Sequence, residues 1–118
     1  MKVLITGPRD YTSDSTIFHA LRSCDGIREI IHGGCRGADT LADGIARVLG
    51  LWVHVYPADW AKYGRAAGPR RNQQMLDEGD PDLVFAFGPY KPQGGTADMV
   101  KRAIKAGVEV RQIGRAHV

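Results

Sequence analysis

Three stretches of this chain combine residue types that can hold an anion. The first is Thr6-Gly7-Pro8-Arg9-Asp10, and the second is His32-Gly33-Gly34-Cys35-Arg36-Gly37-Ala38-Asp39-Thr40. The third runs Gly88-Pro89-Tyr90-Lys91-Pro92-Gln93-Gly94-Gly95-Thr96-Ala97-Asp98. The second and third are glycine-rich turns that open into helix-forming segments. Glycine lets a ligand approach the backbone, and a helix N-terminus supplies free N–H groups with a partial positive charge. The chemistry this favours is phosphate binding. Arg9, Arg36, Arg70 and Arg71 fall near the same loops, and a guanidinium grips phosphate through two parallel hydrogen bonds. Asp39 and Asp98 stand in first helical turns, where a carboxylate complements the helix dipole by about 0.3–1 kcal/mol.

Other chemistry fits less well. Neither glycine loop spells G-x-G-x-x-G or G-x-x-x-x-G-K-[ST], which argues against ordinary dinucleotide binding and ATP hydrolysis. His32 and Cys35 are spaced like metal ligands, yet no second pair completes a zinc site, so no metal is expected. Cys35 precedes a helix, but no general base accompanies it in sequence, and a packing role is the simpler expectation. Trp60 and Tyr63 present aromatic faces that suit either a stacked base or the packing of their own loop. Trp52 and His54 belong to a strand and are read as structural.

The elements that must position these residues alternate along the chain. Short β-type runs at 2–7, 29–32, 52–56, 83–87 and 109–113 are separated by helical periodicity at 13–24, 37–49, 69–77 and 96–106. Residues 59–68 read as irregular, and Pro69 suits the first turn of the helix that follows. The apolar run at 83–87 is the kind buried on both faces. Strands joined by crossover helices imply a mostly parallel sheet covered on both sides. The expected fold is thus α/β, a single-domain three-layer sandwich over residues 1–118 with a mostly parallel five-stranded sheet. Ligands of such sheets bind outside the carboxyl ends of the strands, where the unusual residues of this chain cluster.

Composition narrows the partners. The 118 residues carry a formal charge of +3, with basic residues scattered rather than gathered on one stretch, so nucleic acid is not the expected ligand. No apolar run approaches the roughly 18 residues of a membrane helix, and no signal-peptide core precedes the first turn. Cys24 and Cys35 are expected as reduced thiols. A cytoplasmic protein without membrane attachment is the expectation.

Three ordered runs carry a family resemblance: Gly33-Gly34-Cys35-Arg36-Gly37-Ala38-Asp39, Gly68-Pro69-Arg70-Arg71-Asn72-Gln73-Gln74-Met75 and Gly94-Gly95-Thr96-Ala97-Asp98-Met99-Val100. With the opening Thr6-Gly7-Pro8-Arg9, they resemble the SLOG superfamily, and within it the branch of small YspA-like domains. The resemblance implies a Rossmann-like fold that binds a nucleotide or nucleotide-derived small molecule without a cofactor, and it suggests a homodimer. The implied ligand-binding set is Thr6, Gly7, Arg9, Gly33, Gly34, Arg36, Gly37, Asp39, Arg70, Asn72, Gly94, Gly95 and Thr96. One branch, the LOG-type phosphoribohydrolases, removes the base from nucleoside 5′-monophosphates using a PGGxGTxxE loop and an Arg-Lys pair. Here Arg71 matches the catalytic Arg, Asn72 replaces the Lys, and Met99 falls at the Glu position with Asp98 one residue early. If the chain is a hydrolase, Asp98 and Arg71 are the expected catalytic pair. A third reading, single-stranded DNA binding, follows from the DNA-processing branch and lacks the basic aromatic groove it needs.

Overall fold

Leu83-Val84-Phe85-Ala86-Phe87 has no polar residue to turn toward water, and in the computed structural model, which describes residues 1–114, it forms a wholly buried strand. Around it the chain orders β1 (Lys2–Thr6), α1 (Asp14–Ser23), β2 (Glu29–His32), α2 (Ala38–Val48) and β3 (Trp52–Val55). Then follow α3 (Trp60–Tyr63), a 3-10 turn (Gly64–Ala66), α4 (Ala67–Asp77), β4 (Leu83–Phe87), α5 (Gly95–Lys105) and β5 (Glu109–Ile113). The sheet order is β3-β2-β1-β4-β5, and every pairing is parallel. The order reverses between β1 and β4, so this pair marks the switch point at whose carboxyl end α/β sheets hold ligands.

Alternation along the strands divides the core into two layers. Val3, Ile5, Ile30, Leu83, Phe85 and Phe87 pack with Ile17 and Leu21 of α1 and with Ala38, Ala42 and Ala46 of α2. On the opposite face Leu4, Ile31 and Val84 meet Met75 and Leu76 of α4 and Met99 and Ala103 of α5. Each fully buried Leu, Ile, Val or Phe contributes about 1.5–3 kcal/mol. The alanines of α2 recur every fourth residue and lie on one side of the helix. Their small side chains let α2 sit close to the sheet, so that stripe belongs to the core rather than to an outer surface.

Between β3 and α4 the structure is more regular than expected. Residues 59–68 hold a helical turn, a 3-10 turn and the start of α4, which begins two residues before Pro69. Asp59 caps α3 by accepting the Lys62 N–H at 3.1 Å, the side-chain cap that Asp provides at helix starts. Pro69 is the third residue of α4, where a missing N–H leaves no intrahelical bond unmade. Among the described residues no helix is long and apolar enough to cross a membrane.

Candidate functional site

The loop after β2 is shaped by two buried side chains. Asp39 Oδ2 accepts the N–H of Gly33 at 3.1 Å and that of Cys35 at 3.3 Å. His32 Nδ1 accepts the N–H of Gly34 at 2.9 Å, while its Nε2 lies 2.7 Å from Asp43 Oδ2. The ring proton therefore sits on Nε2. Three successive amides of the Gly33-Gly34-Cys35 turn are thus taken by His32 and Asp39. This glycine loop presents side chains to its surroundings, and its backbone donors at these positions point inward.

Burial pushes the Asp39 carboxyl above its ordinary range, against the opposing pull of His32, the Cys35 amide, Arg71 and the Gly33 amide. Asp43 moves the other way. The Arg47 guanidinium, 2.6 Å away, holds its carboxyl below the usual value.

Arg71 crosses from α4 to this loop and is 8% exposed. Its Nη1 donates to Gly33 O at 2.6 Å and Tyr56 O at 3.5 Å, and its Nε to Asn72 Oδ1 at 3.1 Å. A long contact of 3.7 Å joins Nη2 to Cys35 Sγ. A Cβ on Gly33 would occupy the place of the guanidinium, so any other residue there would displace Arg71 from this position. Among the described residues Arg71 forms no ion pair; all its acceptors are neutral.

Asn72 connects the two glycine loops. Its Nδ2 donates to Gly95 O at 3.2 Å and to Asp98 Oδ2 at 2.9 Å. Arg102 Nε donates to the same Asp98 oxygen at 2.8 Å. Asp98 Oδ1 carries no hydrogen bond among the described residues. The first amides of α5 have no intrahelical acceptor, and Thr96 beside them is 6% exposed. Gly94 has a φ of −82°, and a Cβ on Gly95 would meet nothing within 4 Å. The fold requires glycine at neither position.

A pocket of about 250 Å³ opens at this carboxyl edge, lined by Arg9, Gly33, Gly34, Cys35, Arg36, Pro57, Ala58, Trp60 and Arg71. Trp60 is half exposed, and the Arg9 guanidinium stands 5.9 Å above its ring. A larger hollow of about 570 Å³ lies at the amino ends of β2 and β3, away from the glycine loops. The first gathers three arginines beside Trp60, where the larger hollow has Arg28 alone beside Trp52, so the first is the candidate site. Among the described residues no three His, Cys, Asp or Glu side chains are grouped to hold a metal ion.

Of the expected residues, the pocket gathers Arg9, Gly33, Gly34, Arg36 and Arg71. Asn72 and Asp98 form the polar link to α5, where Gly94, Gly95 and Thr96 lie outside the pocket lining. Asp39 supports the loop from beneath. Thr6 is buried at the end of β1, a Cβ on Gly7 would collide with Ala38, and Gly37, at φ +79°, lies against the Pro8 and Arg9 backbone. Arg70 is exposed and stacks 4.3 Å over Tyr63. Pro57, Ala58 and the loop-shaping His32 were not among the expected site residues. The first two follow β3, so the carboxyl-edge rule that selected the other loops applies equally to them.

An all-parallel five-stranded sheet with an arginine-lined pocket at its carboxyl edge defines a Rossmann-like α/β domain. The family model described as "YspA, cpYpsA-related SLOG family" matches residues 1–63. The chain belongs to that family. It is 38% identical to the Gene 61 protein of Mycobacterium phage D29, over an alignment of 123 positions covering 96% of each chain. The X-ray structure of DNA processing protein A (DprA) from Streptococcus pneumoniae has the same fold, with a TM-score of 0.77 at 18% identity. That likeness covers 94% of this chain and 49% of DprA, so the present chain spans about half the length of that neighbour.

Proposed function

We propose that this domain binds a nucleotide or a nucleotide-derived anion at the carboxyl edge of its sheet. Arg71 carries the reading. A buried cation whose hydrogen-bond acceptors are all neutral loses its hydration without gaining a direct ion pair. Asp39, the carboxylate whose field it feels, is turned to the Gly33 and Cys35 amides. An anionic ligand in the adjoining pocket would supply the missing charge, with Arg9 and Arg36 at the rim. Trp60 supplies a face on which a base can stack, worth about 1–3 kcal/mol. The α5 N-terminus, with Thr96 and two glycines that the fold does not need, is the second place where phosphate would be held.

Hydrolysis of an N-glycosidic bond is the alternative, and one observation favours it. Asp98 is anchored through Oδ2 by Asn72 and Arg102 while Oδ1 remains open, which suits a carboxylate that stabilises positive charge developing on a ribose. Asp98 does not line the pocket, so binding without turnover is the stronger reading. Calorimetric titration with nucleoside monophosphates and ADP-ribose, followed by chromatography of the mixtures, tests both. Saturable binding that weakens in Arg9→Ala and Thr96→Ala, with no released base, supports the binding module. Base release that disappears in Asp98→Asn establishes the hydrolase instead. Absence of binding to every compound removes both readings, and affinity for oligonucleotides that falls steeply with salt would point to nucleic acid.

A further inference from the structure

The two edges of the sheet are built differently. β5 carries Glu109 and Arg111, whose side chains pair at 2.8 Å, and charges of this kind keep an edge strand from pairing with another chain. β3 reads Trp52-Val53-His54-Val55 and has no Lys, Pro or acidic residue. Trp52 is 74% exposed and Val55 43%. Trp52 and Tyr56 direct their N–H groups toward the β2 side, to Arg28 O and His32 O. Alternation therefore turns the N–H and C=O groups of Val53 and Val55 outward, where no described residue pairs with them.

These outward groups flank His54 symmetrically, which makes the edge its own complement. A two-fold axis through His54 sets Val53 opposite the partner's Val55, and Val55 opposite the partner's Val53. In antiparallel pairing each such pair exchanges two backbone hydrogen bonds. A residue meeting its symmetry mate across the axis is the defining property of a closed two-fold contact. On one face two Val–Val contacts form, between the β-branched residues that strands favour. On the other face Trp52 falls opposite the partner's Tyr56, and His54 opposite the partner's His54. Glu29 Oε1 lies 2.8 Å from His54 Nε2, so each imidazole reaches the centre of the contact already held by its own chain. We propose that β3 is the surface through which two copies of this chain pair, edge to edge, into one continuous sheet. A strand from a different protein would satisfy the backbone groups but would not match Trp52 and His54 across a two-fold axis.

Sedimentation equilibrium of the full chain tests the pairing. The mass is expected to rise from 12.9 kDa toward twice that value with concentration. His54→Lys and His54→Glu each place like charges opposite one another, and each is expected to weaken self-association by about tenfold or more. An equimolar mixture of the two variants sets Lys opposite Glu and is expected to restore the dimer, which a general loss of structure cannot do. A native chain that stays monomeric up to about 1 mM overturns the proposal. So do single variants that pair as the native chain does, or a mixture that fails to pair. Amide exchange gives an independent readout on the native chain: the Val53 and Val55 N–H groups should exchange more slowly as concentration rises. Exchange at these two amides that ignores concentration overturns the contact even if a dimer forms.

Discussion

Replacing Asp39 by Ala removes the acceptor that holds two loop amides, those of Gly33 and Cys35. A buried donor left without a partner costs about 1–3 kcal/mol, so orphaning both predicts a loss of roughly 2–6 kcal/mol for Asp39→Ala. Asp39→Asn retains a side-chain oxygen for the same amides and should cost less than about 1 kcal/mol. The charge adds a pH signature. The folded state raises the Asp39 carboxyl above its ordinary 3.8, so the folded chain binds more protons than the unfolded chain just above that value. The contribution of Asp39 to stability is consequently greatest in acid and declines as pH rises from about 3.8 through the raised value. Asn carries no such term, so the stability gap between Asp39→Asn and the native chain should move in favour of Asn across that window. Urea unfolding followed by circular dichroism at several pH values measures all three chains. The reasoning is refuted if Ala and Asn are equally destabilising, or if the gap moves toward the native chain as pH rises.

Three further outcomes are expected. Gly95→Ala should leave the fold unchanged or stabilise it by up to about 1 kcal/mol, while weakening nucleotide binding, because its Cβ meets nothing in the chain; unchanged affinity would show that no ligand comes close there. Trp60→Ala should lower affinity about tenfold or more through lost stacking with little change in melting temperature, and equal affinity would remove Trp60 from the site. His32→Phe deprives the Gly34 amide of its acceptor and leaves Asp43 with Arg47 alone, a predicted loss of about 1–3 kcal/mol; a melting temperature within a degree of the native value would contradict that role.

Much of the fold is legible in local pattern. The apolar run of β4 announces a central strand because nothing in it tolerates water, and the structure buries all of it. The crossover helices fix a parallel sheet for a similar reason, since parallel neighbours need long connections. Asp59 was the overlooked signal in the segment read as irregular, a helix cap whose hydrogen bond forms within three residues. The family resemblance and the matched family agree, and of the runs that carry the resemblance the opening Thr6-Gly7-Pro8-Arg9 and the loop Gly33–Asp39 lie within the matched residues 1–63.

The sequence by itself determined the order of elements, the parallel sheet and the edge at which unusual residues collect, all of which follow from short-range periodicity and turn chemistry. Only the tertiary structure decided what those residues do to one another. Arg71 reaches Gly33 across 38 residues, and Asn72 joins Asp98 across 26, contacts that no local pattern encodes. Likewise, the Gly33-Gly34-Cys35 amides looked free in sequence and prove to be held by His32 and Asp39. Whether a backbone donor faces a ligand or its own chain depends on where a distant or folded-back side chain comes to rest, and packing sets that position.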